Sequence, residues 1–106
     1  LDHLTAFVDN NGLQIDGPIT EVMSSLPIGE KFQAFGWHVI ETDGHDMEKL
    51  HEAIEEAKTI SGKPTMIVMK TVKGKGVPEI ENQVGWHGKA PSKEECERFI
   101  KAVEAE

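Results

Sequence analysis

Thr65-Met66-Ile67-Val68-Met69, running into Lys70, is the stretch on which the fold turns. It carries four large apolar side chains and no charge before Lys70, so neither face is suited to water. A half-exposed strand would alternate polar and apolar residues; this one reads as a parallel strand covered on both faces. Working backwards, Ser61-Gly62-Lys63-Pro64 stops a helix. That helix opens at the Asp43-Gly44-His45-Asp46 turn, with Asp46 as N-cap. Met47, Leu50, Ile54 and Ala57 follow its 3.6-residue period, while Lys49, Glu52, Glu55 and Glu56 form its solvated side. Trp37-His38-Val39-Ile40-Glu41 is the preceding strand, and Ile28 to Gly36 a short helix ended by glycine. Leu4-Thr5-Ala6-Phe7-Val8 is the first strand. The order strand, helix, strand, helix, strand predicts an α/β fold: a parallel sheet flanked by helices. Phe32, Phe35 and Trp37 are expected to pack helix on sheet, with Met66 and Met69 filling the core.

The 106 residues are 38% hydrophobic and 28% charged, the composition of one globular domain, residues 1–106. A net charge of −8 excludes a nucleic-acid role, which needs a basic stripe to displace counterions. No run of about 18 apolar residues spans a membrane, and Leu1-Asp2-His3-Leu4 lacks the layout of a secretion signal, so a cytoplasmic location is expected. Cys96, alone among Glu94, Glu95 and Glu97, has no partner for a disulfide or zinc site and reads as inert.

Two loops hold the chemistry. The first follows the first strand, in Val8-Asp9-Asn10-Asn11-Gly12-Leu13-Gln14-Ile15-Asp16-Gly17. Its oxygen-bearing side chains suit Mg²⁺, which takes hard oxygen ligands and bridges them to cofactor phosphates. Asp-Asn-Asn-Gly is equally ordinary turn chemistry. The second is the long connection Lys70 to Pro91, longer than α/β loops usually run. In it, Thr71-Val72-Lys73-Gly74-Lys75-Gly76 sets ammonium groups beside glycines whose amides can approach a phosphate, without Walker spacing. Trp86-His87-Gly88-Lys89-Ala90-Pro91 adds an imidazole able to bind phosphate or carry a proton. His3, His38, His45 and His51 read as surface or packing residues. Ser92-Lys93-Glu94-Glu95 then opens a terminal helix with Phe99, Ile100 and Val103 on one face.

Taken together, Leu1 to Gly17, Phe35-Gly36-Trp37-His38-Val39, Asp43-Gly44-His45-Asp46, Thr71 to Gly76 and Trp86 to Pro91 resemble transketolase, a thiamine diphosphate enzyme, along the whole chain. The resemblance implies the second half of the diphosphate-binding domain, a partial Rossmann-like three-layer fold, or part of the N-terminal subunit where the enzyme is split over two chains. It implies that Asn11 gives its side-chain oxygen and Leu13 its carbonyl to Mg²⁺ or another divalent cation. By the same resemblance Ile15 lies near the thiazolium ring, Lys73 and His87 contact the diphosphate, and His87 faces the substrate as the catalytic residue. The implied reaction moves a two-carbon ketol unit between sugar phosphates. The family's Gly-Asp-Gly segment is expected ahead of Leu1, and its pyrimidine-binding domain or C-terminal subunit is the expected partner, in a dimeric or heterotetrameric assembly. The chain alone is therefore expected to be inactive. Two other readings stand beside this one: a noncatalytic α/β module of the same shape, and a related enzyme such as deoxyxylulose phosphate synthase.

Overall fold

A computed structural model describes all residues, Leu1–Glu106. The chain divides into two compact units, residues 1–10 with 25–71, and residues 11–24 with 72–106.

The first unit holds a three-stranded parallel sheet of β1 (Thr5–Asn10), β4 (His38–Asp43) and β5 (Thr65–Lys70), in the order β1-β5-β4. The apolar segment is the central strand, as its composition requires. Thr65, Met66, Ile67 and Val68 are buried, Ile67 completely. Thr5 to Asn10 pairs in register with Thr65 to Lys70, and His38 to Asp43 with the same residues on the other edge. β1 therefore runs two residues beyond Val8, because Asp9 and Asn10 still have ladder partners in Met69 and Lys70. The Asp9 carboxylate also accepts a short hydrogen bond from the Thr71 hydroxyl, fastening the carboxyl ends of two neighbouring strands. Beside them the Gly44 N–H donates to the Lys70 carbonyl at 2.9 Å. A Cβ on Gly44 would lie 2.5 Å from the Thr71 methyl, so only glycine fits that turn.

α2 (Ile28–Ala34) precedes β4, and α3 (Met47–Thr59) connects β4 to β5. Asp46 caps α3 as its residue type predicts, its carboxylate accepting from the N–H groups of Glu48 and Lys49 at 3.0 and 3.1 Å. The buried face of α3 differs from the expected stripe. Ala53 and Ala57 pack on Ile67, joined by Ile40 and Met69, whereas Met47 is 68% exposed and Ile54 38%. Two alanines one turn apart let the helix approach the sheet closely, and larger side chains fall to either side of that contact. A second difference lies in α2. Phe32 meets Trp37 edge to face at 5.3 Å, but Phe35, at the helix end, is 82% exposed and packs nothing. His38 Nε2 lies 2.8 Å from Glu56, a surface pairing.

The second unit is built from short pieces. β2 (Leu13–Gln14) and β3 (Gly17–Pro18) form a minimal antiparallel hairpin with Ile15 and Asp16 at its tip, followed by α1 (Ile19–Val22). A chain of turns runs from Val72 to a 3₁₀ turn at Val84–Trp86, and α4 (Lys93–Glu104) closes the unit. Its capping box is complete: the Glu95 N–H donates to the Ser92 hydroxyl at 3.2 Å and the Ser92 N–H to the Glu95 carboxylate at 2.8 Å. Phe99 sits edge to face on Trp86 at 5.4 Å, while Ile100 and Val103 on the same helix are about half exposed. Arg98 grips Glu79 through two nitrogens at 3.2 and 3.1 Å. No helix of the chain is long and apolar enough to cross a membrane.

Candidate functional site

The residue after β1 is Asn11, and its side chain is already committed to a defined position. Its Oδ1 accepts the N–H of Leu13 at 2.9 Å, closing a turn in which Gly12 takes a left-handed φ of +75°. The turn is pinned again by the Ile19 N–H, which donates to the Gly12 carbonyl at 3.0 Å. An amide oxygen accepts two bonds, so Oδ1 keeps capacity for a cation after holding Leu13. The Ile19–Gly12 bond makes Leu13 and Pro18 the non-hydrogen-bonded pair of the hairpin, so the ladder does not claim the Leu13 carbonyl. Ile15, at the hairpin tip, is 59% exposed.

Lys73 lies near the start of the long connection and His87 follows the 3₁₀ turn, its N–H donating to the Val84 carbonyl at 3.0 Å. Both side chains border one recess of about 40 Å³ in the second unit, together with Asn11, Leu13 and Ile15. The five residues singled out in the sequence thus come together from two loops about sixty positions apart. Asp9 and Asn10 do not border the recess; they belong to β1. Gln14 and Val84 complete the lining, and neither carried a signal. Gln14 lies in a two-residue strand too short for any periodicity, and Val84 reads as one more apolar residue before Gly85.

No carboxylate lines the recess. Its polar groups are an amide oxygen, an ammonium and an imidazole, a set suited to an anion and to a cation that the anion brings with it. A volume near that of one water, about 30 Å³ in the liquid, admits an ion or a phosphate oxygen rather than a whole organic cofactor. The Lys73 stem also borders a second recess of about 210 Å³, floored by Trp86 and Phe99. There the Lys89 ammonium lies over the Trp86 ring at 4.1 Å from its centroid.

A family model described as the transketolase thiamine diphosphate binding domain matches residues 1–104. The chain is 41% identical over all 106 residues to a 6-deoxy-6-sulfo-D-fructose transketolase subunit of Clostridium sp. (strain MSTE9), covering 38% of that protein. It is 37% identical over 103 residues to one of the subunits of the apulose-4-phosphate transketolase of Phocaeicola vulgatus, covering 97% of this chain and 37% of that one. Among solved structures, transketolase from Campylobacter jejuni superposes with a TM-score of 0.85 at 30% identity, over 97% of this chain and 16% of that one. Transketolase from Leishmania mexicana gives 0.86 at 31%, over 97% and 15%. The chain therefore spans well under half the length of these relatives.

Proposed function

The chain belongs to the transketolase family, within its thiamine diphosphate binding domain, and we propose that its 40 Å³ recess anchors the diphosphate of that cofactor through a divalent cation, Mg²⁺ by its oxygen ligands. The single observation that carries the reading is the convergence of Asn11, Leu13, Lys73 and His87 on one recess that no carboxylate enters. Residues 1–106 form the second half of the domain in this reading, since the family's cofactor motif opens on Gly-Asp-Gly and closes on an Asn-Asn pair that Asn10-Asn11 resembles.

The roles follow from the groups. Asn11 Oδ1 and the Leu13 carbonyl would hold the cation, with the aspartate of the family's Gly-Asp-Gly segment as a further protein ligand beside the phosphates. Lys73 and His87 donate to the same phosphates, completing charge neutralisation. Ile15 offers an apolar side chain to the ring that follows the diphosphate. When bound, thiamine diphosphate supplies the stabilised carbon nucleophile, and the protein supplies position and electrostatics. His87, exposed and flanked by Gly88, would exchange protons with substrate hydroxyls in this reading. The overall reaction is transfer of a two-carbon ketol unit between sugars that carry an anionic terminal group, sugar phosphates first among them.

Enclosing a cofactor of this size takes a pocket of roughly 300–1,000 Å³. The recess supplies the anchor and not the enclosure, so the remaining walls come from a partner: a pyrimidine-binding domain or a C-terminal transketolase subunit. Two relatives are themselves named as subunits, which supports that arrangement. The chain by itself is accordingly inactive in this reading.

Calorimetric titration of the chain with thiamine diphosphate and with thiamine, each with and without Mg²⁺, tests the anchor. Heat should appear with the diphosphate and grow with Mg²⁺. Equal binding of thiamine and its diphosphate, or indifference to Mg²⁺, overturns the proposal.

A further inference from the structure

Lys73 and His87 stand fourteen positions apart, and something must fold the intervening chain back so that both reach one recess. The second unit does this with a neck. The N–H of Asn82 donates to the Lys73 carbonyl at 3.0 Å, closing residues 73–82 into a loop. Inside it the N–H groups of Ile80 and Glu81 both reach the Val77 carbonyl, at 3.0 and 3.2 Å, and the Glu81 carboxylate accepts the Gly76 N–H at 3.2 Å. The backbones at the neck nearly touch: a Cβ added to Gly74 would fall 2.8 Å from Ile80 Cγ1 and 3.0 Å from the Ile80 carbonyl oxygen.

Asn82 is the one non-glycine residue of the chain with a positive φ, at +57°. Asparagine enters this left-handed region far more readily than branched side chains do, and glycine enters it freely. From Asn82 the chain needs only Gln83 and the 3₁₀ turn Val84–Trp86 to arrive at His87. The backbone angle at residue 82 therefore decides where His87 emerges relative to Lys73.

We propose that Asn82 is a positioning residue: its left-handed backbone and its bond to the Lys73 carbonyl hold Lys73 and His87 at the separation a diphosphate needs. The inference rests on the reading of the recess given above. Asn82 touches neither phosphate nor cation and acts through the geometry of the neck. What matters is the conformation rather than the carboxamide, so Asn82→Gly should preserve function where Asn82→Val should not.

The test uses the whole chain, with inorganic diphosphate plus Mg²⁺ as the probe, followed by the amide and imidazole resonances in NMR titration. Wild type and N82G should bind alike, and N82V should bind roughly tenfold more weakly, the lower end of what outer-shell partners contribute. K73A is the control for the site itself. If K73A binds as wild type does, the assignment of the recess fails; if K73A loses binding while folded N82V keeps it, the positioning role alone is overturned. A second readout needs no variant. Saturating wild type with diphosphate and Mg²⁺ should slow hydrogen exchange at the Asn82 N–H, leaving the Ile60 N–H, bonded to Ala57, unchanged. No slowing at Asn82 refutes the inference even if N82V fails to fold.

Discussion

Replacing Lys73 by methionine isolates the charge from the packing. The Lys73 stem is half-buried and borders both the 40 Å³ recess and the larger one floored by Trp86 and Phe99, so truncation to alanine would remove contacts as well as the ammonium. Methionine keeps a long apolar stem. What it loses is a hydrogen bond to a charged group, worth about 1.5–3 kcal/mol when solvent is displaced. The half-buried position of Lys73 argues for that range. At 1.4 kcal/mol per decade, K73M should weaken binding of diphosphate with Mg²⁺ by roughly 10- to 150-fold. The competing view treats Lys73 as a screened surface charge worth about 0–1 kcal/mol, a loss of fivefold or less. Calorimetry with inorganic diphosphate decides between them, with the thermal midpoint as control. A loss below fivefold at unchanged stability would refute the argument from burial, and a fall in stability that tracks the affinity would show that the stem, not the charge, was removed.

Other outcomes follow from the same geometry. Asn11→Ala takes away the acceptor of the Leu13 N–H and one proposed cation ligand together, so diphosphate should still bind through Lys73 and His87 but gain less from added Mg²⁺; an undiminished Mg²⁺ effect in calorimetry would count against Asn11 as a ligand. Ile67→Ala opens a cavity beneath Ala53 and Ala57 in the central strand and should lower unfolding free energy by about 2–5 kcal/mol in denaturant titration. The Ser92 N–H holds the Glu95 carboxyl below the usual carboxylate range. A depressed folded value means that this capping contribution is complete above the unfolded value of about 4.3 and is lost as pH falls through the folded one. The Ser92 amide resonance should follow that titration, and in E95Q it should not move with acid over the same range.

The parts of the fold legible in the sequence were those whose signal is local. Thr65 to Met69 announces itself because a strand buried on both faces has no polar alternation, and Asp46 and Ser92 do so because capping is settled within one turn of chain. On the inner face of α3 the sequence points to Ala57 and misses Ala53, because alanine is a weak hydrophobic signal: both take the contact through small size, and the larger Met47 and Ile54 lie outside it. The length of β1 was not readable from its own residues. Asp9 and Asn10 have the composition of a turn, and register with Met69 and Lys70 makes them strand. Of the site, the residue types were legible in their own loops, and their meeting only through the resemblance, which put Lys73 and His87 on one diphosphate. Nothing near Lys73 indicates His87; the neck at Asn82 joins them, and a left-handed asparagine leaves no pattern in a sequence.

A candidate diphosphate anchor on an acidic chain poses an electrostatic question. The net charge of −8 is a property of the whole sequence, much of it carried by Glu48 to Glu56 on α3 and by Glu94 to Glu106 around α4. At physiological ionic strength the screening length is about 8 Å, so carboxylates farther off than that act weakly on a ligand while groups in contact act fully. Between residues 70 and 89 the balance reverses: Lys70, Lys73, Lys75 and Lys89 stand against Glu79 and Glu81. Both carboxylates are occupied, Glu79 by Arg98 and Glu81 by the Gly76 N–H. Carboxylates in and just after α4 also lie against this loop, Glu106 beside Gly76 and Glu95 within reach of Lys89, so the affinity of the proposed site for an anion resides in contacts rather than in long-range attraction. A cation held at Asn11, as proposed, would add to that balance at the point where it counts, which is why Mg²⁺ dependence, more than bulk salt dependence, is the informative measurement for this site.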